Sequence, residues 1–168
     1  MSFKTIKAQA PLVDIGDISE LNGSAQIVRD KPYTADLNFS IQSNDEAITT
    51  NGRMAITFLD DSIVKLTEHS QLTIDEYIYD PDPSKSKLSL RMASGTARFI
   101  TGKLGKINKE NISIRTPSAN ISIRGTDFTT TVDEIGRSLI ILLPNENGTS
   151  SGEITVKTAA GTEVLNKP

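Results

Sequence analysis

Ile114-Arg115-Thr116-Pro117-Ser118-Ala119-Asn120-Ile121-Ser122-Ile123-Arg124-Gly125-Thr126-Asp127-Phe128 is the most informative run in the chain. Thr116-Pro117 reads as a corner, because proline has no N–H to give to a regular ladder. After it, Ile121 and Ile123 stand two residues apart and share one strand face, with Ser122 on the other. Gly125 permits a kink or bulge, and Phe128 then anchors the next strand. Arg124 is expected half-buried, its guanidinium on backbone carbonyls or on Asp127, with Thr126 bonding locally. Thr116, Pro117, Ile121, Ile123, Arg124, Gly125, Thr126 and Phe128 thus form a motif whose role is architectural. The run also contains an echo: Asn111-Ile112-Ser113-Ile114-Arg115 returns as Asn120-Ile121-Ser122-Ile123-Arg124. Two identical short strands around one corner suit stacked β layers or a solenoid-like coil.

The same grammar extends outward. Met54, Ile56 and Phe58 alternate with Ala55 and Thr57. Leu72, Ile74 and Ile78 alternate with Thr73, Asp75 and Tyr77. Leu88, Leu90 and Met92 alternate with Ser89, Arg91 and Ala93, and Phe128 and Val132 flank Thr129 and Thr131. Each segment can bury one face and wet the other. Asn51-Gly52 predicts a two-residue hairpin, and Asp60-Asp61 the next turn, giving a three-strand meander over 46–68. Pro81 and Pro83 mark a loop, and residues 145–152 a polar one. Helix is scarce: Val13–Leu21, weakened by Gly16, and Thr101–Glu110 are the two stretches with room for a short piece, and neither is favoured. The fold class is therefore all-β with short stacked strands, solenoid-like or a β-sandwich or roll. At least half the residues are expected in strand and under a tenth in helix. Residues 1–20 read as an N-terminal extension and 21–168 as one β domain.

Composition sets further bounds. Of 168 residues, 36% are hydrophobic and 5% aromatic, with no Trp. Ile, Val, Leu and Thr in flat layers fit so lean a core. Eighteen basic residues against 21 acidic ones leave a net charge of −3. No positive excess exists to release counterions from a nucleic acid. The absence of Cys excludes disulfides, thiolate zinc and Cys nucleophiles. No segment reaches the ~20 apolar residues of a membrane helix, so no membrane insertion is expected.

No catalytic, cofactor or metal site emerges. His69 is the single histidine; with Glu68 and Asp75 it lacks the clustered ligands of zinc or a base–orienter pair. Asp60-Asp61 and Asp80-Pro81-Asp82 lack the alternating pattern and closing Glu of an EF-hand, and turn chemistry accounts for them. Gly102 and Gly105 beside lysines fall short of a phosphate loop.

The runs Gly95-Thr96-Ala97-Arg98-Phe99-Ile100-Thr101-Gly102-Lys103-Leu104 and Thr116 to Phe128 resemble the FecR domain family. Upstream, Gly23–Ile27, Asp45–Thr50 and Leu59–Ser62 match its opening layout, so the resemblance covers about residues 21–165. It implies a β-rich fold with solenoid-like stacking and no catalysis. Signalling members carry such a region outside the cytoplasm and relay a transporter signal to a sigma factor. Stand-alone members occur too, including in bacteriophage virions.

Met1–Ala10 contains no apolar run able to serve as a signal-peptide core. The leading expectation is accordingly a non-enzymatic structural or adaptor module of a multi-protein assembly, a phage virion made in the host cytoplasm. Its partners would be other protein subunits, with a homo-oligomer among the options and no nucleic acid. The alternative is an extracytoplasmic signalling or cell-surface domain, in the periplasm or at the surface. A weaker alternative is a carbohydrate-binding module, for which Tyr33, Tyr77 and Tyr79 are the only tyrosines.

Overall fold

The computed structural model describes residues 13–82, 85–103, 112–124, 126–144 and 152–167, with the side chain of Arg124 left aside. Among the described residues there are fifteen strands and no α-helix. They run β1 (Gly16–Asn22), β2 (Ala25–Val28), β3 (Pro32–Thr34), β4 (Ser40–Ile41), β5 (Glu46–Thr49), β6 (Arg53–Phe58), β7 (Ile63–Leu66) and β8 (Gln71–Ile78). β9 (Lys87–Ile100), β10 (Ile112–Arg115), β11 (Asn120–Arg124), β12 (Phe128–Val132), β13 (Ser138–Leu142), β14 (Glu153–Thr158) and β15 (Gly161–Leu165) follow. The chain is thus all-β, as the alternation predicts.

The strands form two sheets that share β9. Sheet A has the order β4-β1-β6-β7-β9-β12-β13. Sheet B has the order β3-β2-β5-β8-β9-β10-β11-β14-β15. All pairings are antiparallel except β9–β10. Residues 87–94 of β9 lie in sheet B and residues 95–100 in sheet A. Gly95, at φ +90°, sits at the bend. Inward side chains of both sheets merge into a single core; Phe58 of sheet A stacks on Tyr77 of sheet B at 5.3 Å. A strand that bends from one sheet into the other is how such sandwiches turn corners.

Three neighbouring connections cross beside that bend: Gly23-Ser24, residues 50–52 and residues 67–70. They are stitched together by backbone bonds. Thr50 N donates to Ser24 O (3.1 Å), His69 N to Thr50 O (3.0 Å), Thr49 N to Ser70 O (2.9 Å) and Thr67 N to Thr96 O (3.1 Å). Buried hydroxyls complete the seam. Thr49 Oγ1 donates to Thr67 O and accepts from Ser70 N, while Ser70 Oγ accepts from Thr96 N. Every crossing frees backbone groups from the ladders, and each must find a partner when buried. The result is a stack of bent rungs.

Several expectations change. Asn51-Gly52 is not a hairpin: β5 pairs with β2 and β8, whereas β6 pairs with β1 and β7. Neither residue has the positive φ that a type I′ turn needs. Gly52 is required for close approach instead, since a Cβ there would lie 2.6 Å from Asn22 O and Ser24 N. Asp60-Asp61 does turn β6 into β7, so the meander holds over its second half only. Residues 16–20, assigned above to an extension, form most of β1 and pair with β6. The stretch Thr101–Glu110 lies mainly in residues 104–110, outside the described residues, as do residues 145–151 of the polar loop.

The phase of β8 also changes. Its register shifts between Ile74 and Glu76, so Tyr77 turns inward at 6% exposure and Ile78 outward at 41%. One extra residue in a strand exchanges its two faces. The inward Tyr77 meets Asp60, which is fully buried. Its hydroxyl donates to Asp60 Oδ1 (3.0 Å) and accepts from Asp60 N (2.9 Å), and Ser62 Oγ donates to Asp60 Oδ2 (2.6 Å). Burial, reinforced by the Asp60 carboxylate, pushes the Tyr77 hydroxyl well above its ordinary pKa, so it remains a donor at neutral pH. Tyr77→Phe should destabilise the protein by about 1–3 kcal/mol by orphaning buried groups. A raised folded-state pKa makes this stabilisation complete below the unfolded tyrosine value of about 10 and lost above it. Urea melts of both proteins up to strongly alkaline pH check this. Parallel decline of the two curves there would contradict it.

Candidate functional site

The motif of residues 114–128 resolves into two structural parts. β10 and β11, the echoed strands, are adjacent and antiparallel, with Ile112 opposite Ile123 and Ile114 opposite Ile121. The echo is therefore a hairpin of matched faces in one sheet, not two layers of a coil. Its turn is held at Thr116, whose backbone N–H donates to Ala119 O (2.9 Å) and whose Oγ1 accepts from Ala119 N (3.0 Å). Thr116 is buried and Pro117 exposed. Ile121, Ile123 and Phe128 have 0% exposure, and Phe128 stacks on Phe99 at 5.5 Å.

Beyond β11 the chain passes from sheet B to sheet A. Thr126 is buried and its carbonyl accepts from Thr101 Oγ1. Asp127 Oδ1 accepts from Thr101 N (3.0 Å), and Asp127 O accepts from Leu143 N (2.9 Å). The Arg124 backbone pairs with Glu153 in β14. The Arg124 side chain and Gly125 lie outside the described residues, and the contact expected between Arg124 and Asp127 lies outside them too.

The acids and the histidine weighed for chemistry are dispersed. His69 is exposed in the crossing after β7. Glu68 pairs with Arg53 (2.9 Å) and Asp75 with Arg91 (2.8 Å). Among the described residues, no three His, Asp or Glu side chains gather as a metal would need. The tyrosines are scattered as well: Tyr33 lies against Phe39, Tyr77 is buried and Tyr79 is 46% exposed. They form no shared aromatic platform.

What the fold does assemble lies on the outer face of sheet B. In register across four strands stand Arg91 (β9), Arg115 (β10), Asn120 (β11) and Lys157 (β14). Beside them, two residues away along each strand, runs a row of hydroxyls: Ser89, Ser113, Ser122 and Thr155. Period-2 alternation sends these outward because Leu88, Leu90, Ile112, Ile114, Ile121, Ile123 and Ile154 go inward. Arg115, Asn120 and Lys157 are exposed. The Thr116–Ala119 turn stands at one side, with a shallow groove on each flank. One groove contains Arg91 and Arg115, the other Arg115 and Lys157. Carboxylates border the strip: Asp75 pairs with Arg91, Glu46 sits at the β5 end, and Glu153 follows Arg124 in register. Such a surface can hold an anion by charge and hydrogen bonds. Among the described residues no base–orienter pair stands beside its hydroxyls.

A family model described as FecR protein matches residues 44–162, from just before β5 into β15. No curated protein and no solved structure matches the chain.

Proposed function

The chain belongs to the FecR family, and on that premise we propose that it is a non-enzymatic recognition module that works outside the cytoplasm. The match over residues 44–162 carries this reading, since it takes in β5 to β14, the larger part of each sheet, and the exposed face of sheet B. The match favours an extracytoplasmic signalling or cell-surface role. It lends nothing to the virion role expected from the sequence.

In this reading the module acts by binding protein partners, in the periplasm or at the cell surface. One further observation supports protein docking. β13 is a sheet edge, pairing only with β12 among the described residues, and Leu139 and Ile141 are 59% and 47% exposed on it. An apolar open edge invites an added strand.

The test is location. The protein, tagged at its native locus, should appear in the osmotic-shock fluid or in surface-protease digests of intact cells. Confinement to the cytoplasm, or co-sedimentation with virions, would overturn the proposal.

A further inference from the structure

We propose that the outer face of sheet B binds an acidic polysaccharide, a polymer carrying uronate carboxylates and free hydroxyls, laid across β9, β10, β11 and β14. The inference stands on the geometry of this face and holds wherever the protein resides.

Charge comes first. The chain is net negative, yet Arg91, Arg115 and Lys157 share one register line. Arg115 and Lys157 have no ion-pair partner among the described residues, and only Arg91 is offset, by Asp75. Neighbouring strands lie about 4.8 Å apart, which sets Arg115 about 5 Å from Arg91 and about 10 Å from Lys157 at the backbone. A repeating anion is met at several points by such a row. The planar guanidinium fork of Arg115 suits a carboxylate in particular.

The second row decides the class of ligand. None of the Ser89, Ser113, Ser122 and Thr155 hydroxyls has a hydrogen-bond partner among the described residues, and all four residues are half-buried. A hydroxyl both donates and accepts, and Asn120 adds an amide that does the same. A ligand that is anionic and polyhydroxylated uses both rows together. An acidic peptide would use the cations but would find no aromatic side chain along the strip in which to anchor its own. A polyphosphate would leave the hydroxyl row largely idle.

The whole chain would be titrated calorimetrically with polygalacturonate at low ionic strength, where exposed charges are least screened. Neutral dextran, poly-L-glutamate and polyphosphate serve as parallel probes. Polygalacturonate should bind in preference to all three. Arg115→Glu and Lys157→Glu, made separately on exposed positions, should each weaken it tenfold or more without moving the melting temperature. The double variant Ser113→Ala/Ser122→Ala should weaken polygalacturonate several-fold while leaving any residual polyphosphate binding unchanged. Absence of polygalacturonate binding overturns the proposal. Equal or tighter binding of dextran, polyglutamate or polyphosphate overturns it too, as does indifference to the serine changes.

Discussion

Gly95→Val is expected to cost the fold roughly 3–5 kcal/mol, combining backbone strain at positive φ with overpacking. The residue sits at φ +90° where β9 leaves sheet B for sheet A. A Cβ at this point would lie 2.2 Å from Ser70 Oγ and 2.5 Å from Ser70 Cα. The serine side chain can swing aside only by giving up its bond from Thr96 N, and the Ser70 backbone N–H and carbonyl are both tied to Thr49 in the crossing seam. Relief therefore requires moving two rungs together. A natural domain has only about 5–15 kcal/mol to lose, so this variant approaches the threshold of folding. Ala93→Val, on an exposed position of the same strand, should change stability by no more than about 0.5 kcal/mol. Urea melts of the two variants make the comparison. Similar midpoints would show that the bend tolerates a side chain.

Ile123→Ala should lower stability by about 2–5 kcal/mol, the range for truncating a fully buried aliphatic side chain. Ile123 has 0% exposure and lies in a line of inward residues, Leu88, Ile112, Ile123 and Ile154, on four neighbouring strands. Removing its outer carbons leaves a space bounded by strands on both sides, which closes poorly. Ser122→Ala, one residue away on the wet face, should be nearly neutral. If Ile123→Ala costs under about 0.5 kcal/mol, the hairpin presents its other face to the core.

Much of this was legible in the sequence because it depends on neighbours along the chain. The alternation around Met54, Leu88 and Ile121 predicts which faces are buried, and the burial of Ile56, Leu90 and Ile123 follows it, although Ala55 on the opposite face of β6 is buried too. What failed depends on contacts distant in sequence. Asn51-Gly52 has the composition of a hairpin, yet glycine serves there because the Asn22–Ser24 backbone passes against it. The phase of Tyr77 turns on a bulge opposite β9 that no local pattern announces. The cation row was hidden for the same reason. Arg91, Arg115 and Lys157 are far apart in the chain, and only strand register brings them into line.

The membership of β9 in both sheets also bears on how the molecule forms and fails. Its fourteen residues pair with β8 and β10 through one half and with β7 and β12 through the other. Neither sheet is complete until this strand is placed. Its partners extend from Ile63 to Val132, so placement awaits synthesis of most of the chain. Pairings between such remote segments make for slow folding. Once closed, the two sheets cannot open separately, because detaching either one strips half the bonds of β9. Amide hydrogens on both sides of Gly95 should therefore exchange at a common, slowest rate, as parts of a single cooperative unit.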